Sequence, residues 1–290
     1  MNLAGILLRV GVTLLAVAAA VAVGWQLWIY YTLSPWTRDA RVLANVVEIA
    51  PDVSGLVSKV NVADNEKVSK GDVLFVIDQE RFQVAVQQAQ AQVELKVQAL
   101  KYAQDTARRD VTLGQQDNEA ISIQSTERAT TTAGEAQAEL DAARAALATA
   151  QINLTRSQVR TPVDGYVTNL NIFVGNYATA GESVLALVDS DSFYVYAYFM
   201  ETKLPAIRDG DPARIELMAG NVVLDGVVEG MSRAIANTTD SRGLLADVPA
   251  EFDWIRLAQR IPVRIRIGKL PPGVELAAGM SATVVVQPKK

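Results

Sequence analysis

Any chemistry this sequence could perform would fall to carboxylates, lysine or tyrosine, because its 290 residues include neither histidine nor cysteine. That excludes zinc sites built on thiolate or imidazole, and it excludes Ser-His and Cys-His nucleophile pairs. Asp240, Asp247, Glu251 and Asp253 cluster in and just beyond a polar stretch from Asn237 to Pro249. General acid–base work needs a second group within hydrogen-bond reach of the first. Nothing in this stretch supplies a base with a partner, so it reads as a long solvated loop. No G-x-x-x-x-G-K-[ST] loop occurs, so nucleotide energy would have to come from another protein. The net charge of −5 carries no basic cluster of the kind nucleic acid requires. The absence of cysteine fits an oxidising compartment, where stray thiols are a liability. No enzyme, cofactor or metal site is expected.

The residues whose spacing carries most information are glycines. Ala50-Pro51-Asp52-Val53-Ser54-Gly55-Leu56-Val57 is followed, sixteen residues after Gly55, by Gly71-Asp72-Val73-Leu74-Phe75-Val76-Ile77-Asp78. Thr161-Pro162-Val163-Asp164-Gly165-Tyr166-Val167 is followed, sixteen residues after Gly165, by Gly181-Glu182-Ser183-Val184-Leu185-Ala186-Leu187-Val188. This is an internal repeat. Gly55 and Gly165 are expected where a strand turns closely or adopts positive φ, and Gly71 and Gly181 where a turn leads into a second strand. The set Leu56, Lys59-Val60 and Val62, and later Val73 to Ile77, suits short strands buried on one face. Each half alone is too small to bury its apolar side. Two halves packed face to face would form a small flattened β-sandwich.

Between the halves, Gln79 to Val159 contains no proline and only two glycines, Gly114 and Gly134. Ala129, Ala133, Ala136, Leu140, Ala143, Leu147, Ala150 and Leu154 recur at alternating steps of three and four. That is a coiled-coil seam, with Leu140, Leu147 and Leu154 its large members. Val86, Val93, Leu100 and Ala107 fall seven apart in the first part, with Phe82, Ala89 and Ala103 beside them and Lys96 as a blemish on the same stripe. The pattern breaks from Leu113 to Ile123, where Gly114, Asp117 and Asn118 supply turn chemistry. The expectation is an antiparallel helical hairpin whose arms each span roughly 50 Å.

Ahead of the repeat, no residue from Val10 to Tyr31 is charged. Twenty-two such residues make a helix of roughly 33 Å against a hydrocarbon core of roughly 30 Å. Trp25, Trp28, Tyr30 and Tyr31 crowd its C-terminal end like interfacial aromatics, and Ser34-Pro35 stops it. Ala20-Val21-Ala22 offers cleavage-like spacing, but the apolar run continues nine residues past Ala22, which favours an uncleaved transmembrane anchor. With Arg9 on one side and Arg38 and Arg41 on the other, the distribution of positive charge does not fix the orientation.

After Val188 the pattern returns to β. Phe193 to Phe199 reads as a strand with aromatics on both faces, Glu201 to Ile207 as a short helix, and Arg208-Asp209-Gly210-Asp211 as a turn. Ala213 to Leu217, Val222 to Val228, Pro262 to Ile267 and Ala282 to Val286 alternate as strands. Several short strands around one short helix suggest a small β-barrel. Arg264 and Arg266 on their alternating strand read first as a solvated face and second as a contact to a partner.

Anchor, half-motif, helical hairpin, half-motif and barrel, in that order, resemble the HlyD-type membrane fusion (periplasmic adaptor) proteins across nearly the whole chain. Ser34-Pro35-Trp36-Thr37-Arg38-Asp39-Ala40-Arg41, Ile49 to Gly55, Glu201-Thr202-Lys203-Leu204 and Trp254 to Arg266 look closest to the adaptors of aromatic acid (p-hydroxybenzoate) efflux. The resemblance implies a fold that is mainly β plus a long α-helical hairpin. Its parts would be a cytoplasmic stub and anchor over 1–33, a lipoyl-like sandwich with halves 46–78 and 159–189, a hairpin over 79–158, and a barrel with membrane-proximal β region over 190–290, joined by 34–45. It implies a single-pass inner-membrane protein with its body in the periplasm, assembled as a homo-oligomeric ring. Its partners would be an inner-membrane transporter and a TolC-like outer-membrane channel. Family tips often carry Arg, Leu four later and Ser seven after that. Arg109 and Leu113 fit, the third position holds Ala120, and Ser122 looks like the shifted counterpart. A lipoyl or biotinyl carrier would present a modified lysine on the turn between its halves, and here the helical insert replaces that turn. Adaptors of multidrug or protein secretion systems are the alternative, and the hairpin length favours small-molecule efflux.

Overall fold

The computed structural model describes residues 3–116, 122–220, 222–233 and 258–288. They belong to two units, Val46–Asp191 and the combination of Met1–Asn45 with Ser192–Lys290. The second begins with α1 (Leu3–Leu33) and β1 (Trp36–Leu43). Side chains in α1 are described at residues 11–26 and at Trp28, and all are exposed. Among the described residues no helix is long and apolar enough to cross a membrane.

The Val46–Asp191 unit places β2 (Val46–Ile49), β3 (Gly55–Val60), β4 (Lys67–Val68) and β5 (Val73–Ile77) before the helices α2 (Glu80–Gln116) and α3 (Ile123–Arg156). After them come β6 (Gln158–Arg160), β7 (Gly165–Thr168), β8 (Tyr177–Ala178) and β9 (Leu185–Asp189). The sheets have the orders β2-β9-β7-β4 and β6-β5-β3-β8. Each sheet thus contains two strands from each half of the repeat. The expectation of one half packed on the other is corrected: the halves interleave. Strands of two to six residues cannot form a stable sheet within one half, and exchanging strands gives every strand a partner.

The interleaving is reciprocal. Asn65 N–H donates to Val167 C=O, and Gly175 N–H to Val57 C=O, both at 2.9 Å. Gly71 N–H donates to Thr161 C=O and Gly181 N–H to Pro51 C=O, again at 2.9 Å. Each pair relates residues 110 apart in sequence, the offset of the repeat. The buried core between the sheets includes Val57, Leu74, Phe75, Ile77, Val167, Leu185 and Leu187. Leu56, expected inside, is 51% exposed, and its neighbour Val57 points inward at 1%. The buried position follows Gly55 by two, as period-two alternation from a buried glycine requires.

The glycines divide into two kinds. Gly71 (φ 95°) and Gly181 (φ 82°) occupy the left-handed region ahead of β5 and β9. Gly55 and Gly165 have no positive φ, so for them close approach is the operative reason. A Cβ at Gly55 would lie 2.6 Å from Ile77 Cγ2, and one at Gly165 would fall on the Val188 carbonyl oxygen.

In the other unit, β10 (Tyr194–Met200), β11 (Pro212–Leu217), β12 (Val223–Met231), β13 (Arg260–Ile267) and β14 (Ser281–Val286) join β1 in a closed barrel of order β1-β10-β13-β12-β11-β14. A 3-10 helix, Glu201–Ala206, follows β10 where a short helix was expected, and it ends one residue before Ile207. Val42, Val195, Ala197, Phe199, Ile215, Val263, Ile265 and Val284 fill the interior. The tyrosines of β10 all lie on one face and Phe199 on the other. The polar stretch from Asn237 to Pro249, with Asp240 and Asp247, lies outside the described residues, as do Glu251 and Asp253 beyond it.

Gly165→Ala is expected to destabilise the sandwich by about 1–3 kcal/mol, because the clash is with backbone that cannot rotate away. Gly55→Ala should cost less, since Ile77 meets it with a side-chain atom. Thermal unfolding followed by circular dichroism measures both. An unchanged melting temperature for Gly165→Ala would contradict the close-approach argument.

Candidate functional site

Two regions of the described structure gather the residues singled out by sequence. The first is the hairpin. In α3, Leu140 is buried, while Ala129, Ala133, Ala136, Ala143, Leu147, Ala150 and Leu154 are half-buried between mostly exposed neighbours. In α2, Phe82, Leu100, Ala103 and Ala107 are buried, and Val86, Ala89, Val93 and Lys96 are half-buried. Alanine at most α3 positions lets the helices approach closely and leaves leucine to fill the gaps. Lys96 lies on the α2 stripe, and its Nζ donates to Glu139 Oε2 at 2.7 Å across the hairpin. The pair is partly solvated, so its net stabilisation is below about 1 kcal/mol. A polar pair at one seam position does more to fix register.

At the hairpin base, Ile77 N–H donates to Ser157 C=O at 2.8 Å and Gln79 Nε2 to Ser157 Oγ at 3.0 Å. Phe82 belongs to the sandwich core and Leu154 packs against it. At the far end, Leu113 is 47% exposed. Arg109 is exposed, and its guanidinium donates back to Asp105 C=O and Thr106 Oγ1 of its own helix. Gly114, expected in the turn, lies inside α2. Asp117, Asn118 and Ala120 lie outside the described residues. Ser122 has a local task that sequence reasoning missed: it is the N-cap of α3, its side chain accepting from Ser125 N–H at 3.3 Å. Serine at the start of a helical run was the available signal.

The second region is one end of the barrel, where three separated motifs meet. Thr37 Oγ1 donates to Tyr198 C=O at 2.8 Å, Lys203 Nζ to Trp36 C=O at 3.1 Å, and Glu201 N–H to Gln259 C=O at 2.9 Å. Arg260 pairs with Asp39 at 2.5 Å. Lys203 Nζ lies 4.6 Å from the Trp36 ring centre, and the Arg38 guanidinium 5.6 Å from it. Burial pushes the Lys203 ammonium pKa down, while the carbonyl and the ring face supply partners for the charged form. Residues 254–257 of the third motif lie outside the described residues. Among the described residues no three His, Cys, Asp or Glu side chains converge as a metal site.

A sandwich split by a helical hairpin, on the same chain as a six-stranded barrel, defines a membrane fusion protein. The RND MFP barrel-sandwich hybrid domain model matches residues 45–190, just over half of the chain, and the AAEA-like beta-barrel domain model matches residues 192–287. The chain belongs to the RND membrane fusion protein (periplasmic adaptor) family, whose members are adaptors and not enzymes. Among solved structures, it is similar to the membrane fusion protein Spr0693 from Streptococcus pneumoniae R6 at 20% identity and TM-score 0.64, covering 89% of this chain and 100% of that one. MacA from Actinobacillus actinomycetemcomitans matches at 19% identity and TM-score 0.54, covering 88% and 79%. ZneB from Cupriavidus metallidurans matches at 22% and 0.51, covering 88% and 99%. At such identities these likenesses speak to the fold.

Leu140→Asp is expected to cost of order 3–5 kcal/mol, by losing the buried side chain and placing a charge in the seam. Ala145→Asp, on the exposed face of α3, should be close to neutral. Lys96→Leu should change stability by no more than about 1 kcal/mol in either direction. Helix content and melting by circular dichroism test all three. Equal losses for Leu140→Asp and Ala145→Asp would refute the seam.

Proposed function

We propose that this chain is the periplasmic adaptor of a tripartite efflux pump, held in the inner membrane by α1 and joining an inner-membrane transporter to a TolC-like outer-membrane channel. The observation that carries the reading is the hairpin inserted between interleaved sandwich halves. Its base is fixed by the sheets, and α2, at 37 residues, reaches roughly 55 Å from them. Such an arm bridges distance and offers no chemistry of its own. The anchor rests on the uncharged run from Val10 to Tyr31. It is supported by the exposure of every described side chain in α1.

The tip contact is assigned to the end of the hairpin that carries Arg109, Leu113 and Ser122. Leu113 and, at the start of α3, Ile123 are both exposed at this end, and grouped exposed apolar side chains favour a protein contact. Ser122 is already engaged as a helix cap, so Arg109 and Leu113 are the stronger contact residues. The adaptor works as a homo-oligomeric ring around the conduit. Its cargo is small molecules, with aromatic carboxylic acids the class suggested by the motifs at 34–41 and 201–204. Energy comes from the transporter.

A photo-activatable cross-linker at Leu113 in cells is expected to capture an outer-membrane channel, identified by mass spectrometry of the adduct. Removing the protein should reduce export of aromatic acids. If Leu113 captures only other copies of this chain while the protein is well expressed, a self-associating periplasmic scaffold replaces the efflux adaptor.

A further inference from the structure

The outward side of the barrel is uneven in composition. On β11 and β12 the exposed positions carry Arg214, Glu216, Val223, Asp225, Val227 and Glu229, charges of both signs and two valines without an aromatic ring. On β10 every second residue points inward, as Val195, Ala197 and Phe199, and the outward column is Tyr194, Tyr196 and Tyr198. The neighbouring strands border this column with arginine. Arg41 of β1 lies opposite Tyr196, and on β13 Arg264 lies opposite Tyr196 and Arg266 opposite Tyr194.

The face is held rigid by its own contacts. The Tyr194 and Tyr196 rings meet edge to face at 5.1 Å and 76°. The Arg264 guanidinium stacks 3.8 Å from the Tyr194 ring centre, and its Nε donates to Glu229 Oε2 at 2.9 Å. Arg266 lies 3.7 Å from the other oxygen of the same carboxylate. Glu229 thus orients two arginines while neutralising one. Arg38 and Arg41 both stand exposed on β1, because the strand register shifts between Thr37 and Ala40. The result is a cationic excess on a chain whose net charge is −5. Tyrosine and arginine with restricted rotamers are the side chains that dominate protein–protein binding energy. Nothing in the barrel's packing asks for them outside.

The position of this face indicates what covers it. β1 begins at Trp36, three residues after α1 ends at Leu33, so at most about 10 Å of chain separates them. From Trp36 to Leu43, which lies opposite Tyr194, β1 runs roughly 23 Å. With α1 in the membrane, lipid headgroups could meet only the Trp36 end. A protein rising from the same membrane could cover the whole face.

We propose that the Tyr194–Tyr196–Tyr198 face, with Arg38, Arg41, Arg264 and Arg266, is the docking surface for a membrane-embedded partner whose extramembrane surface carries carboxylates. This rests on the adaptor reading and on α1 as anchor, and it assigns the transporter contact to one side of the barrel.

The test uses the full chain in cells, with a photo-activatable amino acid at Tyr196 and, as control, at Glu216 across the barrel. The expected result is a light-dependent adduct at Tyr196 with one integral membrane protein, joined through an extramembrane peptide containing Asp or Glu. Glu216 should not yield that adduct. The double variant Arg264→Glu/Arg266→Glu should reduce the adduct at least tenfold. Arg41→Glu, which leaves the Glu229 contacts intact, should also reduce it if the double variant fails to fold. A Tyr196 adduct with a second copy of this chain, with lipid alone, or insensitive to both charge reversals would overturn the proposal. A missing Tyr196 adduct with normal export and a normal Leu113 adduct would overturn the face assignment and leave the bridging role standing. Absence of both adducts from a folded, well-expressed protein, with export unchanged when the protein is removed, would remove the adaptor reading itself.

Discussion

Neither half of the repeat can complete a sheet alone, and the exchange of strands between them governs everything else in the Val46–Asp191 unit. Backbone groups buried without partners are costly. Here they are satisfied across the halves, by Val167 N–H to Glu66 C=O and by Val57 N–H to Asn176 C=O. The sandwich can therefore form only after the whole helical insert has folded back and brought together residues such as Glu66 and Val167, or Val57 and Asn176. A flexible loop of that length would carry a closure cost. A helical hairpin reduces it by returning the chain to its starting point.

The same arrangement sets the hairpin. α2 leaves β5 and α3 enters β6, and β5 and β6 pair directly, with Val76 opposite Gln158. Sheet pairing thus fixes the separation and register of the two helices at their base. The seam propagates that register outward through small side chains, and Lys96 with Glu139 marks it part of the way along. A two-helix seam buries little, and Leu140 is the only buried side chain of α3. Its stability depends on the sandwich beneath it, so the hairpin behaves as an extension of the β unit more than as an independent coiled coil.

The legibility of these features in the sequence follows from the length of each pattern. The α3 stripe runs through eight positions, so its period is unmistakable, and those positions are the shielded ones. The strands of the sandwich are two to six residues long, too short for alternation alone to fix their phase, and the pattern points to Leu56 as the inward residue where Val57 belongs. Strand exchange leaves no trace in composition, because interleaved and face-to-face halves need the same residues. β1 is not readable as a strand. Its register shift between Thr37 and Ala40 breaks the alternation and puts two arginines on one face. Ser122 attracts notice through its resemblance to a contact residue, while its hydrogen bond to Ser125 belongs to local helix physics.

The repeat also separates what the fold demands from what it tolerates. Asn65 (φ 63°) and Gly175 (φ 92°) occupy the same left-handed position in the two halves, and the loops ahead of them share a backbone bond, Asn61 N–H to Leu74 C=O and Asn171 N–H to Val184 C=O, each 2.9 Å. With the backbone duplicated, the side chains diverge. Ala63, Asp64 and Lys67 in one loop stand where Phe173, Val174 and Tyr177 stand in the other. The three apolar residues are 61–65% exposed. Since the first loop folds in the same way with a carboxylate and an ammonium at these sites, folding cannot account for the aromatic pair in the second. The buried positions Gly55 and Gly165, and Val57 and Val167, stay identical because packing leaves no freedom there, and the exposed Gly71 and Gly181 because their left-handed backbone leaves none. Exposed positions without such a backbone constraint are free, and there the two halves of one motif have become two different surfaces.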